Sequence, residues 1–168
     1  MSNSQIEFDG YRPGAVGDIV RLHAIYYAEH WGFGPDFEAS CALGFGEILR
    51  DYREGRDRLG FAYLDGRAVG SCQVDGRLNA EAGVDNAARL RFVIVDPALA
   101  GKGIGRKLIG DAVDWIDRAG YGHSWLTTFD GLGAARHLYE AAGFTLTETY
   151  TASSYGRPLP EQRFDRVR

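Results

Sequence analysis

Val93-Ile-Val-Asp-Pro-Ala-Leu-Ala100-Gly-Lys-Gly-Ile-Gly105-Arg-Lys-Leu108 joins an apolar run to a helical pattern through glycines at alternate positions, Gly101, Gly103 and Gly105. The run Leu90 to Val95 is almost unbroken and closes on Asp96-Pro97, as expected of a central strand buried on both faces. On the other side Ile104, Leu108, Ala112, Trp115, Ile116 and Ala119 recur at helical spacing up to Gly120, which predicts a helix over 104–119. Glycines between them let backbone amides approach a ligand closely, and the positive end of the following helix reinforces those donors. With Lys102, Arg106 and Lys107 nearby, the segment suits a pyrophosphate. A dinucleotide fingerprint fails because Arg106 stands where a third glycine is needed, and a nucleoside-triphosphate loop fails because no Gly-Lys-Ser/Thr follows. A glycine-rich turn with no ligand is the plain alternative.

Beyond the helix, Ser124 to Phe129 returns as a strand, so strand, helix and strand make a right-handed crossover with two parallel strands. Upstream, Leu59 to Leu64 and Ala68 to Val74 flank the hairpin dipeptide Asp65-Gly66. Before them a short strand over Ile6 to Arg12 is followed by a helix capped by Asp18 and running to about His30. A second helix is carried by Phe37, Cys41, Phe45, Ile48, Leu49 and Tyr52, with Gly44 and Gly46 interrupting it. Downstream, a helix from about Gly133 to Ala142 precedes strands near Phe144 to Thr151 and Gln162 to Val167. Gly76 to Ala87 and Thr151 to Glu161 read as surface loops. The fold class is α/β with a mixed sheet of about seven strands and about four helices, in one domain over 1–168.

The 168 residues suffice for one continuous core, and 45% hydrophobic with 25% charged residues is ordinary for a globular chain. A net charge of -4 leaves no basic footprint for nucleic acid or an anionic membrane. No apolar run reaches membrane-spanning length, and the opening residues carry neither a basic leader nor an apolar stretch. Cys41 and Cys72 are too few for a disulfide framework and read as reduced thiols, so a cytoplasmic location is expected. His and Cys spacing predicts no metal site, and no Ser-His-Asp nucleophile is recognisable. The charged run from Glu47 to Arg58 mixes signs at short spacing and reads as a solvated helix end.

A second segment, Ala135-Arg-His-Leu-Tyr139-Glu-Ala-Ala-Gly-Phe144, lies downstream of the glycine loop. Together the two resemble the GNAT superfamily of acyl-CoA N-acyltransferases, whose phosphate loop reads Arg/Gln-x-x-Gly-x-Gly/Ala after a strand ending in Val-x-Pro, and whose later signature reads Ala-x-x-Leu-Tyr-Glu-x-x-Gly-Phe. Gly103 and Gly105 match; Ala100 stands in place of Arg or Gln, and Leu132 in place of the Asn that often precedes the signature. The tail from Ser154 to Phe164 is similar to GNAT domains fused to MarR-type regulators, although no winged-helix segment fits within this chain. The resemblance implies a GNAT-like, splayed sheet and acetyl-CoA as acyl donor. It places the donor against Val93, Ile94, Val95, Ala100, Gly101, Lys102, Gly103, Ile104, Gly105, Arg106, Leu132 and Ala135. Tyr139 is implied as the general acid that protonates the departing thiolate, and the family's habit of pairing through one end of the sheet admits a homodimer. Transfer to a primary amine of a small molecule is the leading expectation. A peptide or protein acceptor, and an inactive acyl-CoA-binding sensor, are the alternatives.

The acceptor side is thinner in signal. The strand Leu90 to Val95 offers Arg91 and no carboxylate, so no general base is evident. His23, Tyr26, Tyr27 and His30 fall at i, i+3, i+4 and i+7 on one helix face, with Glu29 beside them, and form a candidate acceptor wall. Trp31 and Phe33 extend it, and Asp130 is a candidate partner for a cationic acceptor. For each histidine the competing reading is a packed, hydrogen-bonded side chain with no catalytic part.

Overall fold

In a computed structural model that describes residues 5–77 and 79–168, the chain builds one seven-stranded sheet with helices on both faces. In chain order the elements are β1 (Glu7–Asp9), α1 (Ala15–Trp31), α2 (Pro35–Arg50), β2 (Phe61–Leu64), β3 (Arg67–Asp75) and the single-turn α3 (Asn79–Ala82). They continue as β4 (Ala87–Val95), α4 (Ile104–Ala119), β5 (His123–Phe129), α5 (Gly133–Ala141), β6 (Thr145–Ala152) and β7 (Leu159–Val167). The strand order is β1-β2-β3-β4-β5-β7-β6, with β4 and β5 parallel and every other neighbour antiparallel. The expected mixed sheet and its central strand are present.

Period-2 alternation divides the core between the two faces. Ala62, Cys72, Val74, Ala88, Leu90 and Leu126 point to α4 and α5, whose Leu108, Ala112, Ile116 and Tyr139 are buried against them. Phe61, Tyr63, Ala68 and Ile94 point the other way, onto Ala15 and Ile19 of α1 and Phe45 of α2. Gly44 explains the interruption in α2: an added Cβ there would lie 2.8 Å from the Phe92 ring, so the glycine admits a strand side chain against the helix.

Several boundaries differ from those expected. Asp18 does not cap α1. The helix begins three residues earlier, behind Gly14 at φ 92, and the Asp18 carboxylate accepts hydrogen bonds from the Ala68 amide and the Arg67 guanidinium on β3. The segment expected as a loop from Gly76 to Ala87 contains α3, while its residue 78 lies outside the described residues. The charged run after α2 is not wholly solvated. Asp57 is 1% exposed and accepts from the Gly76 and Arg53 amides and from the Arg56 guanidinium, tying that run to the end of β3. Lys107 turns from the glycine loop to pair with Asp111 at 3.0 Å.

Two features of β4 create the site. It pairs with β5 only over Ala87–Arg89 against His123–Trp125, so the strands part beyond Arg89 and leave one backbone edge of Leu90–Val95 without a strand partner. β4 also carries a bulge against β3, where Ser71 lies opposite Ile94 but Gln73 lies opposite Arg91. Phe92 sits in the bulge at φ 53, with its carbonyl accepting a bond from the Ser71 hydroxyl and its ring stacked 3.9 Å from Phe45.

Candidate active site

A cleft of about 920 Å³ fills the gap between β4 and β5. Its two halves differ in chemistry. One half is lined by Val93, Ile94, Val95, Pro97, Ala100, Gly105, Leu132, Ala135, Leu138 and Tyr139, from the open edge of β4, the glycine loop and α5. The exposed polar edge of β4 offers amides and carbonyls to an amide-bearing chain laid beside it, because backbone groups without a strand partner need another. Of the glycine loop only Ala100 and Gly105 line the cleft itself; between them Gly101 and Gly103 sit at φ 78 and 75, and among the described residues the α4 N-terminus has no side-chain cap. Its first amides therefore remain available to an anion. Lys102 and Arg106 are exposed beside that turn, whereas Ile104 is 3% exposed with its side chain in the core, so only its amide can face a ligand. These features fit a pantetheine arm and a pyrophosphate. Ala100 and Leu132, which replace polar residues of the resembling family, both line the cleft and contribute apolar surface.

Tyr139 enters from α5, 5% exposed, and packs its ring 6.0 Å from Phe164. Burial raises the pKa of its phenol well above the usual value, so at neutral pH it is held as a proton donor.

The other half is lined from α1, α2 and the far strands. His23, Tyr26 and Tyr27 are brought to it, but Glu29 and His30 are exposed further along α1 and do not line the cleft. Asp130 is also exposed and outside the lining, accepting a 3.4 Å bond from Gln162. Trp31, Phe33, Phe37, Phe129 and Tyr155 pack around Tyr27 as an aromatic wall, with Tyr27 centroids 5.8 Å from Phe33 and 5.0 Å from Phe37. His23 is part of this wall: it is 5% exposed, its Nδ1 lies 2.9 Å from the Ile19 carbonyl, and its ring stacks on Tyr27.

Desolvation lowers the His23 pKa from 6.5 to about 4, which keeps the ring neutral and makes it a weak base. A histidine that resists protonation in the fold but not in the unfolded chain stabilises the protein fully above pH 6.5, and that contribution is lost as pH falls towards 4. Between pH 7 and 4.5 the loss is about 2 kcal/mol. Urea unfolding at the two pH values is expected to show His23→Phe losing that much less stability than the parent chain.

Four groups of this half were not anticipated. Glu161 on β7 is 1% exposed and lines the cleft, with one carboxylate oxygen accepting from the Ser154 amide at 3.0 Å. Among the described residues no cationic side chain is paired with it. Glu148 and Tyr150 line the same half from β6, and Arg89 closes it where β4 and β5 part. A signal for Glu161 existed in the sequence, since Glu161, Arg163 and Asp165 alternate and so share one sheet face. A buried carboxylate facing a cleft, with no cation of its own, is suited to receive an ammonium group and its proton.

Comparison with known proteins agrees with this geometry. The model of the acetyltransferase (GNAT) family matches residues 18–144. No curated protein sequence matches the chain. Among solved structures, the chain is similar to a ribosomal-protein-alanine N-acetyltransferase from Brucella melitensis, with TM-score 0.77 at 16% identity, covering 96% of this chain and 99% of that one. It is similar to the yncA protein of Salmonella typhimurium with its cofactor acetyl-CoA, with TM-score 0.72 at 17% identity over 96% and 93% of the two chains. It is similar also to a spermidine N-acetyltransferase chimera from Vibrio cholerae and hSSAT, with TM-score 0.69 at 19% identity over 98% and 96%. At such identities the likeness is one of fold. Among the described residues no helix is long and apolar enough to cross a membrane, and no group of His, Cys, Asp and Glu side chains is arranged to hold a metal.

Proposed function

The chain belongs to the GNAT acetyltransferase family and is thereby an acyltransferase, and from that premise we propose that it moves an acetyl group from acetyl-CoA to a primary amine of a small molecule, acting as one catalytic domain over 1–168. The observation that carries the proposal is the continuity of the cleft. It runs from the glycine loop along the unpaired edge of β4 to a buried carboxylate, Glu161, that makes no ion pair among the described residues. Acetyl-CoA supplies the reactive thioester carbonyl, with its pyrophosphate on the amides of Gly101 to Gly105 and its pantetheine arm along Val93 to Val95.

The roles of the chain's own residues follow from where charge must move. An amine arrives protonated at neutral pH and attacks only as the free base, so Glu161 receives the ammonium proton. As nitrogen bonds to the acetyl carbon, a backbone amide on the open edge of β4 hydrogen-bonds the developing oxyanion. The carbon–sulfur bond then breaks, and Tyr139 gives its phenolic proton to the thiolate. The second nitrogen proton, lost after attack, returns the Tyr139 phenolate to phenol by way of solvent, and Glu161 releases the first to solvent, so one turnover frees one proton.

Calorimetry with acetyl-CoA, followed by thiol release against a panel of amines, amino acids, polyamines and aminoglycosides, tests the reading. Binding with amine-dependent thiol release is the expected result, and Tyr139→Phe is expected to lower kcat about 10²-fold with little change in acetyl-CoA affinity. Binding without release from any amine favours an acyl-CoA sensor, for which the apolar Ala100 and Leu132 in the cleft are the supporting observation.

A further inference from the structure

Resting on that transferase reading, we propose that the acceptor is an aminocarboxylate, an amino acid in its simplest form, whose carboxylate is held by Arg89. The position of Arg89 is set by the sheet. It lies opposite Trp125 in the last paired step before β4 and β5 diverge, so its side chain stands at the closed end of the acceptor half.

The hydrogen bonds of its guanidinium are incomplete. Nη2 donates to the Thr127 hydroxyl at 2.7 Å and Nη1 to Glu81 at 3.2 Å, while Nε is buried with no partner among the described residues. The Glu81 side chain is 56% exposed against 20% for Arg89, so that pair is a rim contact of the kind that contributes little. The neighbouring cations are better compensated. Arg163 forks onto Asp165 and also donates to the Ala82 carbonyl, and Arg91 reaches the buried Asp75. Arg89 and Arg163 both lie over the Trp125 ring, at 4.5 and 4.8 Å. Burial and the repulsion of Arg91 lower the Arg89 pKa, the direction expected of a guanidinium short of negative charge.

An anion entering here would gain a desolvated, planar donor set that matches a carboxylate. A polyamine could set its second ammonium only against Glu148 or Glu81 and would leave the Arg89 guanidinium without an anion, and a simple amine would leave Arg89 as it is. An acceptor with one carboxylate and one amine serves both groups that line this half, Arg89 with the first and Glu161 with the second. The aromatic wall of Tyr27, Phe37 and Tyr155 leaves apolar surface for a side chain.

The test compares matched probes: L-phenylalanine with phenethylamine, L-leucine with isopentylamine, L-methionine with 3-(methylthio)propylamine, and 4-aminobutanoate with propylamine. For the best-used acid, kcat/KM is expected to exceed that of its decarboxylated partner about 10²-fold, and in Arg89→Gln the preference is expected to fall towards unity, with Arg89→Lys between them. Equal use of both partners by the parent chain overturns the proposal without any variant, as does a preference undiminished in an Arg89→Gln protein that still binds acetyl-CoA. If no probe is acetylated, calorimetry on the CoA-saturated protein separates the two readings. Acids that bind the parent chain and not Arg89→Gln sustain the carboxylate site while the transferase falls. Absence of binding by every acid overturns the site.

Discussion

Gly103→Val is expected to weaken acetyl-CoA binding on the order of 10²-fold while the protein still folds. Gly103 is the residue before α4 and sits at φ 75, with nothing within 4 Å of where a Cβ would stand. A Cβ there therefore meets no steric obstacle, and the effect of the substitution enters chiefly through the backbone. A β-branched residue resists the left-handed conformation, which costs about 1–3 kcal/mol if the loop keeps its shape. The loop escapes that cost by rotating, and rotation swings the amides that face the pyrophosphate. Asparagine tolerates left-handed φ better than alanine, and alanine better than valine, so calorimetric affinity should fall in the order Gly, Asn, Ala, Val. A melt within a few degrees of the parent would show that the loss belongs to the loop. Affinity unchanged across the series would remove the glycine amides from donor binding.

The legibility of this loop in the sequence has a physical reason. Glycine at alternate positions between a buried strand and a helix is a backbone requirement, and backbone requirements are written in residue identity. Binary patterning likewise gives the central strand, the crossover helix and the hairpin at Asp65-Gly66, because each buries one periodic face. What escapes is set by pairing at a distance. The separation of β4 from β5 depends on how far two strands remain hydrogen-bonded, and no local pattern in Leu90 to Val95 reports that length. Arg89 lies one residue before the apolar run that marks the strand, so its place at the apex is invisible until the parallel register is known. The His23, Tyr26 and Tyr27 stripe is readable because it is helical, yet helical spacing cannot say where the cleft ends, and His30 falls beyond it. Asp18 misleads because a carboxylate early in a helix has two outlets, its own amides or a neighbouring strand, and tertiary contact with Arg67 and Ala68 wins. Glu161 sits at the end of a stretch read as loop, where Pro158 and Pro160 suppress the strand pattern that continues through it.

Glu161→Gln is expected to lower kcat by about 10²- to 10³-fold at neutral pH, with the affinity for acetyl-CoA retained. The change is nearly isosteric, and the amide oxygen of glutamine can still accept from the Ser154 amide, so the strand pairing of β7 with β5 and β6 has no reason to move. What is removed is the capacity to receive a proton from an acceptor ammonium. That distinction predicts a pH signature beyond the loss itself. In the variant the free amine must come from solution equilibrium, so kcat/KM should rise with pH in step with the amine's own ionisation, and amines of lower pKa should recover the most activity. A variant with parental kcat and an unchanged pH profile would mean that Glu161 only binds the acceptor, leaving deprotonation to Glu148 or to water. Because Tyr139→Phe acts on the leaving thiolate and Glu161→Gln on the incoming amine, the two lie at opposite ends of one displacement. Their responses to acceptor basicity should therefore differ, the first nearly flat across a series of amines and the second steep.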